Sequence, residues 1–131
     1  MKPVSVSAMV AVVLVLLLSA VGVAEAGSIS TPIMVMSGGT TDLECKAVNV
    51  GTAPISVTIT FYDASNGSVL GTPLTQTVNP NRSLGKVVDG ATLLGDYFCK
   101  FTTGTVNNIR VAIARFDPAT GTYVFGWGNV K

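Results

Sequence analysis

The sequence predicts an all-β protein whose strands form an antiparallel sandwich or barrel, and three features carry that prediction. Apolar and polar residues alternate with a period of two through most segments after residue 26, as in strands that bury one face. Valine, isoleucine and threonine are abundant, and turn-forming residues recur about every ten positions. No segment beyond residue 26 shows the apolar periodicity of an amphipathic helix.

The first 26 residues have the composition of a secretion signal. Lys2 provides a positive charge, residues 8–23 form an apolar run, and Ala24-Glu25-Ala26 has the small-x-small pattern of a cleavage site. The run of about 16 residues is shorter than the roughly 20 that a spanning helix needs. We therefore expect a cleaved signal helix at 1–26 and a single secreted or periplasmic domain at 27–131, with no stable membrane insertion.

Four strands are predicted between residues 32 and 78. The third is the clearest, because Ile55, Val57, Ile59 and Phe61 alternate with polar residues and Tyr62. Asn66-Gly67 after it tolerates the positive φ angles of a tight primed turn, which predicts a hairpin. A proline in the fourth strand favours a sheet edge or a bend. The predicted spans of these strands are 32–36, 41–48, 55–62 and 69–78.

The second half of the chain continues the same pattern. A short strand is predicted at 84–88, and the next one turns Tyr97, Cys99 and Phe101 inward. The following strand has three β-branched residues, at positions 109, 111 and 113, on its inward face. A turn at 117–121 then leads into a last strand. The whole pattern predicts a sandwich of about 7–9 strands.

Cys45 and Cys99 each lie on the predicted inward face of a strand, 54 positions apart. Two such thiols usually pair in an oxidising compartment, so an inter-sheet disulfide is predicted. The alternatives are a metal site and a catalytic thiol. The chain contains no histidine, which leaves too few ligands for zinc and no usual base for a thiol. No metal and no cofactor are expected.

Charge and composition exclude several classes of function. Eight basic and seven acidic residues give a net charge of +1, and no basic stripe is present to neutralise phosphates, so we expect no nucleic-acid partner. The absence of histidine excludes the usual Ser-His-Asp and Cys-His arrangements. The carboxylates are scattered singly near turns, so the protein is not expected to be an enzyme.

Two resemblances refine the fold. The stretch Gly95-Asp96-Tyr97-Phe98-Cys99 together with Cys45 resembles the immunoglobulin sandwich, which has a tyrosine two residues before its second cysteine. The tryptophan expected on the third strand of that family is missing. The chain also resembles bacterial immunoglobulin-like domains of the cell-adhesion-related type in Asn49-Val50-Gly51, residues 59–63 and Asn66-Gly67. The resemblance implies an immunoglobulin-like β-sandwich and, by analogy, work at a cell surface.

Tyr123, Phe125 and Trp127 share one face of the last strand. If that face is exposed, it could bind sugar rings by stacking, with Tyr62 as a further member. The alternatives are that these aromatics fill the core or that they dock another subunit. Ala112 and Ala114, predicted to face outward, would also allow a second chain to pack closely.

The leading functional hypothesis is a secreted, non-catalytic domain for surface interaction, adhesion or assembly, with a protein or a glycan at a cell surface as its partner. Self-association is one form of that hypothesis. The alternative is a small carbohydrate-binding module that uses Tyr62, Tyr123 and Trp127.

Overall fold

A computed structural model of the chain describes residues 27–39 and 41–127, with side chains up to Tyr123. Nine strands and two single-turn 3-10 helices, at Gly90–Thr92 and Val106–Asn108, make up this part of the chain. The strands are β1 (Gly27–Ser30), β2 (Met34–Ser37), β3 (Asp42–Asn49), β4 (Ile55–Asp63), β5 (Val69–Val78), β6 (Ser83–Val88), β7 (Leu94–Thr103), β8 (Ile109–Asp117) and β9 (Thr122–Trp127).

The strands form two antiparallel sheets, as the alternation predicts. Sheet I has the order β1-β7-β4-β5, and β2 also pairs with β7; sheet II has the order β6-β3-β8-β9. The all-β sandwich with an inter-sheet disulfide is thereby confirmed. The predicted signal helix at 1–26 lies outside the described residues.

The core lies between the inner faces of the two sheets. Phe61, Phe101, Leu43, Ile59 and Ile113 are all fully buried there. Each occupies a position that the alternation predicts to point inward, because successive side chains of a strand point to opposite faces. Burying such side chains is the main favourable term in the free energy of folding.

The disulfide joins the two sheets at the centre of this core. Cys45 on β3 and Cys99 on β7 are bonded, with their Cα atoms 6.3 Å apart, and both side chains are fully buried. Beside them, the hydroxyl of Tyr97 donates a hydrogen bond to the backbone oxygen of Leu94 at 3.0 Å. A buried tyrosine with its hydroxyl tied to the backbone upstream is the arrangement found in immunoglobulin-type sandwiches at this position.

Two hairpins share one kind of turn. In the β4–β5 hairpin the N–H of Gly67 donates to the oxygen of Asp63 at 2.8 Å, and in the β8–β9 hairpin Gly121 donates to Asp117 at 2.8 Å. Both hairpins are predicted by the sequence, but the prediction of a primed turn at Asn66-Gly67 is wrong. That turn needs positive φ at both central residues, whereas here Gly67 has a φ of 73° and Asn66 is not among the positive-φ residues.

β1 is the strand that the sequence analysis missed. Its sequence, Gly-Ser-Ile-Ser, contains a single large apolar residue, Ile29, which packs against the core. The strand forms because its backbone pairs with β7, Ile29 standing opposite Phe101. The predicted edge position of the strand containing Pro73 is confirmed, since β5 lies at the end of sheet I in the described part of the chain. Within the described residues no helix is long and apolar enough to cross a bilayer.

Candidate interaction surfaces

The residues proposed as an aromatic platform are divided between the two sheets. Tyr62 pairs with Phe98 in sheet I, at positions that alternate with the buried Phe61 and Cys99 and therefore lie on the outer face. Tyr123 pairs with Phe116 in sheet II, also on the outer face. Because the two outer faces point away from each other, Tyr62 does not extend a platform formed by Tyr123. The side chain of Trp127 lies outside the described residues.

Sheet I carries an apolar area at one end of its outer face. The rings of Tyr62 and Phe98 stack at 5.2 Å with an interplanar angle of 11°. Val69 pairs with Tyr62, and Val35 pairs with Asp96 on the other side of β7. Val35 and Val69 are 62% and 48% exposed, and Leu94 at the start of β7 is 71% exposed. We call the group Val35, Tyr62, Val69, Leu94 and Phe98 the sheet I patch.

The rest of that outer face is hydrophilic. Its positions on the strands β4, β5 and β7 carry threonines, and the hydroxyls of Thr58 and Thr75 share a hydrogen bond of 2.8 Å across neighbouring strands. Asp96 and Lys100 flank Phe98 along β7. Polar residues therefore border the sheet I patch along the face, and Asp96 lies within it, between Leu94 and Phe98. Such a mixture of apolar and polar residues is common at protein contact sites.

Sheet II presents a different outer face. The ring of Tyr123 lies 4.6 Å from that of Phe116, tilted by 34°, and Tyr123 is 40% exposed. The β8–β9 register then places position 125 opposite Ala114 and position 127 opposite Ala112. Ala114 is only 4% exposed, although it lies on the face predicted to be outward, so its methyl group offers little surface to a second chain.

Lys86 closes one side of the core, a role that the sequence analysis did not identify. It pairs with Cys45 and so occupies an inward position on the edge strand β6. Its Nζ lies 5.4 Å from the centre of the Phe61 ring and donates to the backbone oxygen of Thr72 on β5. Burial lowers the pKa of Lys86. Its side chain therefore joins the edges of the two sheets while its charge points outward.

A polar cleft opens where the inner face of sheet II continues past the core. Positions 109, 111 and 113 of β8 are buried and apolar, but the next inward positions are Arg115 and Asp117. The cleft has a volume of about 240 Å³ and is lined by Thr41, Arg115, Asp117, Thr120 and Thr122. The Nε of Arg115 is buried and has no hydrogen-bond partner among the described residues.

The two charged residues of this cleft do not neutralise each other. In the described part of the chain the single ion pair joins Lys46 and Glu44, 3.1 Å apart. The Asp117 carboxylate instead accepts hydrogen bonds from the backbone N–H groups of Ala119 and Thr120. The side-chain hydrogen bond from Thr120 is the main cause that lowers the pKa of Asp117, so this group is ionised at neutral pH. The change from apolar to charged residues along β8 is the sequence signal that could have revealed the cleft.

The described residues contain no group of three or more cysteine, aspartate or glutamate side chains placed to hold a metal ion. Asp63, which begins a turn rich in oxygen atoms, is engaged by its own turn. Its Oδ1 accepts from the N–H of Ser65 at 2.8 Å, and its Oδ2 accepts from the side chain of Asn66 at 3.2 Å.

Comparison with known proteins identifies a shared fold. No protein-family model matches the chain, and no curated protein matches it. The structure is similar to the crystal structure of Thermotoga maritima 1070, with a TM-score of 0.56 and 15% sequence identity; the match covers 82% of this chain and 96% of that chain. At this level of identity the similarity concerns the fold alone.

Proposed function

We propose that the protein is a secreted, non-catalytic domain that binds a partner protein at a cell surface through the sheet I patch. The observation that carries this proposal is the exposed apolar group around the Tyr62–Phe98 stack. Apolar residues scattered singly over a surface are normal, whereas several exposed apolar residues grouped at one end of a sheet mark a candidate binding site. Aromatic residues contribute much of the binding energy at such sites.

The disulfide supports the secreted location, because such bonds persist in oxidising compartments. The tied Tyr97 hydroxyl and the bond between β3 and β7 support the immunoglobulin-like assignment that the sequence resemblance suggested. Domains of the cell-adhesion-related type work at surfaces, and by analogy the same role is proposed here.

The test compares one pair of surface substitutions with a single control substitution. Val35→Thr together with Leu94→Thr removes exposed apolar side chains from the patch while keeping the strand propensity of β2 and β7 acceptable. The matched control is Val87→Thr on sheet II, because Val87 is also an exposed valine on a strand, at 53% exposure. Binding of each purified protein to the surface fraction of its source cells is measured by co-sedimentation.

The proposal expects the double variant to lose about tenfold or more in affinity, equivalent to about 1.4 kcal/mol, and the control to bind as the unmodified protein does. Equal binding by the double variant would contradict it. An unmodified protein that is strictly monomeric and has no affinity for surface material would also contradict it.

A second candidate is carbohydrate binding, which the 40% exposure of Tyr123 on the outer face of sheet II favours. Aromatic rings bind sugars through their apolar faces. A glycan array probed with the unmodified protein and with Tyr123→Ala and Trp127→Ala separates the two functions. Sugar binding that disappears in either variant supports this candidate, and the absence of binding to any glycan removes it.

A further inference from the structure

The cleft at the end of sheet II combines three features that together indicate a binding site. It is concave, it is lined by convergent polar groups, and it contains the buried Nε of Arg115, a donor that finds no acceptor among the described residues. A buried polar atom without a partner is uncommon and costly in native structures. An acceptor supplied by a ligand would remove that cost.

The charges of the cleft restrict the chemistry of the ligand. A phosphate or another simple anion would pair with Arg115 but would be repelled by the ionised Asp117, and a simple cation would face the reverse problem. A neutral sugar would leave both charges unpaired. A small molecule with one carboxylate and one ammonium group satisfies both residues at once.

The dimensions agree with such a molecule. Arg115 and Asp117 occupy alternate positions of β8, so their Cα atoms are about 7 Å apart along the strand. The two side chains form no ion pair with each other, so a short zwitterion can lie between them with a hydrogen bond of about 2.8 Å at each end. The volume of about 240 Å³ lies below the usual range for drug-sized ligands, which begins near about 300 Å³.

We propose that this cleft binds a free α-amino acid, with its carboxylate on Arg115 and its ammonium group on Asp117. The hydroxyls of Thr41, Thr120 and Thr122 line the same cleft and supply further donors and acceptors. This site is distinct from the sheet I patch and does not depend on the function proposed for it.

The experiment uses the Nε–H signal of Arg115 in the ¹⁵N–¹H spectrum of the labelled protein. Glycine is titrated as the zwitterionic probe, and acetate, methylammonium and glycine betaine are the comparison compounds. Betaine retains both charges, but its methylated nitrogen cannot donate a hydrogen bond to Asp117. The expected result is a saturable shift of the Arg115 signal with glycine and at least about tenfold weaker binding of the three others.

Arg115→Gln tests the site directly, and Arg110→Gln is the matched control, because Arg110 is an exposed arginine on the same strand. Glycine binding to the variants is followed through the backbone N–H signals of Thr120 and Thr122, which line the same cleft. It is expected to fall by about tenfold or more in Arg115→Gln and to persist in Arg110→Gln. If the spectrum of Arg115→Gln shows loss of the fold, Thr122→Val takes its place, since it removes one hydroxyl from the cleft and keeps a β-branched side chain. The proposal is overturned if glycine produces no saturable shift or if acetate binds as well as glycine. It is also overturned if Arg115→Gln, or Thr122→Val in its place, binds glycine as tightly as the control Arg110→Gln does.

Discussion

At the scale of single residues, Asn49 shows how a polar side chain stabilises a sandwich. It is 1% exposed, its Nδ2 donates to the backbone oxygens of Ala53 and Val78 at 2.8 and 2.9 Å, and its Oδ1 accepts from the N–H of Gly51 at 2.9 Å. The bond to Val78 joins the end of β3 to the end of β5 and so connects the two sheets. The side chain thereby satisfies backbone groups that would otherwise be buried without partners.

Replacing Asn49 with alanine is expected to lower the free energy of unfolding by about 3 kcal/mol, because it leaves buried donors and acceptors unsatisfied. Urea denaturation measures the change. The control is Asn79→Ala, at an exposed turn position, which should cost less than about 0.5 kcal/mol. An Asn49→Ala protein as stable as this control would contradict the role assigned to the side chain.

The sequence contained part of this information. Asn49-Val50-Gly51 directly follows the strand predicted at 41–48, and the bond from Gly51 to Asn49 is local enough to follow from a turn at that point. The bond from Asn49 to Val78 spans 29 positions and depends on which strands meet across the sandwich. Arg115 is a similar case, since a lone arginine near a strand end does not reveal that its Nε is buried.

At the scale of elements, the β4–β5 and β8–β9 hairpins are built from equivalent turns. Each begins with an aspartate whose Oδ1 accepts the N–H two residues later, Ser65 for Asp63 and Ala119 for Asp117. Each ends with a glycine at positive φ, 73° for Gly67 and 70° for Gly121. The carboxylates hold the turns in this shape because they satisfy backbone donors that face no strand.

These turns give the protein an acid-dependent component of stability. Hydrogen bonds, chiefly those from the side chains of Ser65 and Thr120, lower the pKa of Asp63 and Asp117 in the folded state. The unfolded value is about 3.9, so the stabilisation is complete above that pH and is lost as the pH falls through the lower folded-state pKa.

We expect the melting temperature to fall between about pH 5 and pH 2, and to fall less in the Asp63→Asn/Asp117→Asn protein. Asparagine keeps an oxygen acceptor for the turn but does not titrate in this range. Thermal unfolding followed by circular dichroism over that pH range tests the difference. Parallel curves for the two proteins would show that the turn carboxylates do not cause the acid sensitivity.

The strands were predicted correctly from the sequence where a local pattern determines their structure. Alternation assigned the inward faces of the strands around Phe61, Cys99 and Ile113 correctly, because one buried face forces a period of two. It missed β1, where Ile29 is the single apolar residue and pairing with β7 determines the structure. The turn at Asn66-Gly67 was misjudged because Asp63, three residues earlier, offers its own acceptor to the backbone.

At the scale of the whole molecule, the strand order is the feature that no local pattern contains. β8 pairs with β3, whereas β1 and β2 pair with β7. As a result β1, the first described strand, lies in sheet I, and β9, the last one, lies in sheet II. This order decides the candidate sites: it places Tyr62 and Tyr123 on opposite outer faces, and it brings Thr41 beside Arg115. An aromatic platform shared by both tyrosines was therefore compatible with the sequence but not with the fold.

The disulfide acts on the same scale, because it links covalently two sheets that side-chain packing and the hydrogen bonds of Asn49 and Lys86 also join. Its partners are 54 positions apart, and closing a loop of that length stabilises a fold by about 4 kcal/mol in the chain-entropy model. That is a large share of the roughly 5–15 kcal/mol by which domains of this size are stable.

The Cys45→Ala/Cys99→Ala protein is therefore expected to lose about 4 kcal/mol of unfolding free energy in urea. The unmodified protein treated with a reductant is the companion measurement, since it loses the bond but keeps both sulfur atoms in the core. If the double variant loses more unfolding free energy than the reduced protein does, the difference is the cost of the cavity left by the two missing sulfur atoms. Two titratable thiols in the native protein, or equal stability with and without reductant, would show that the sulfur bond does not hold the sheets together.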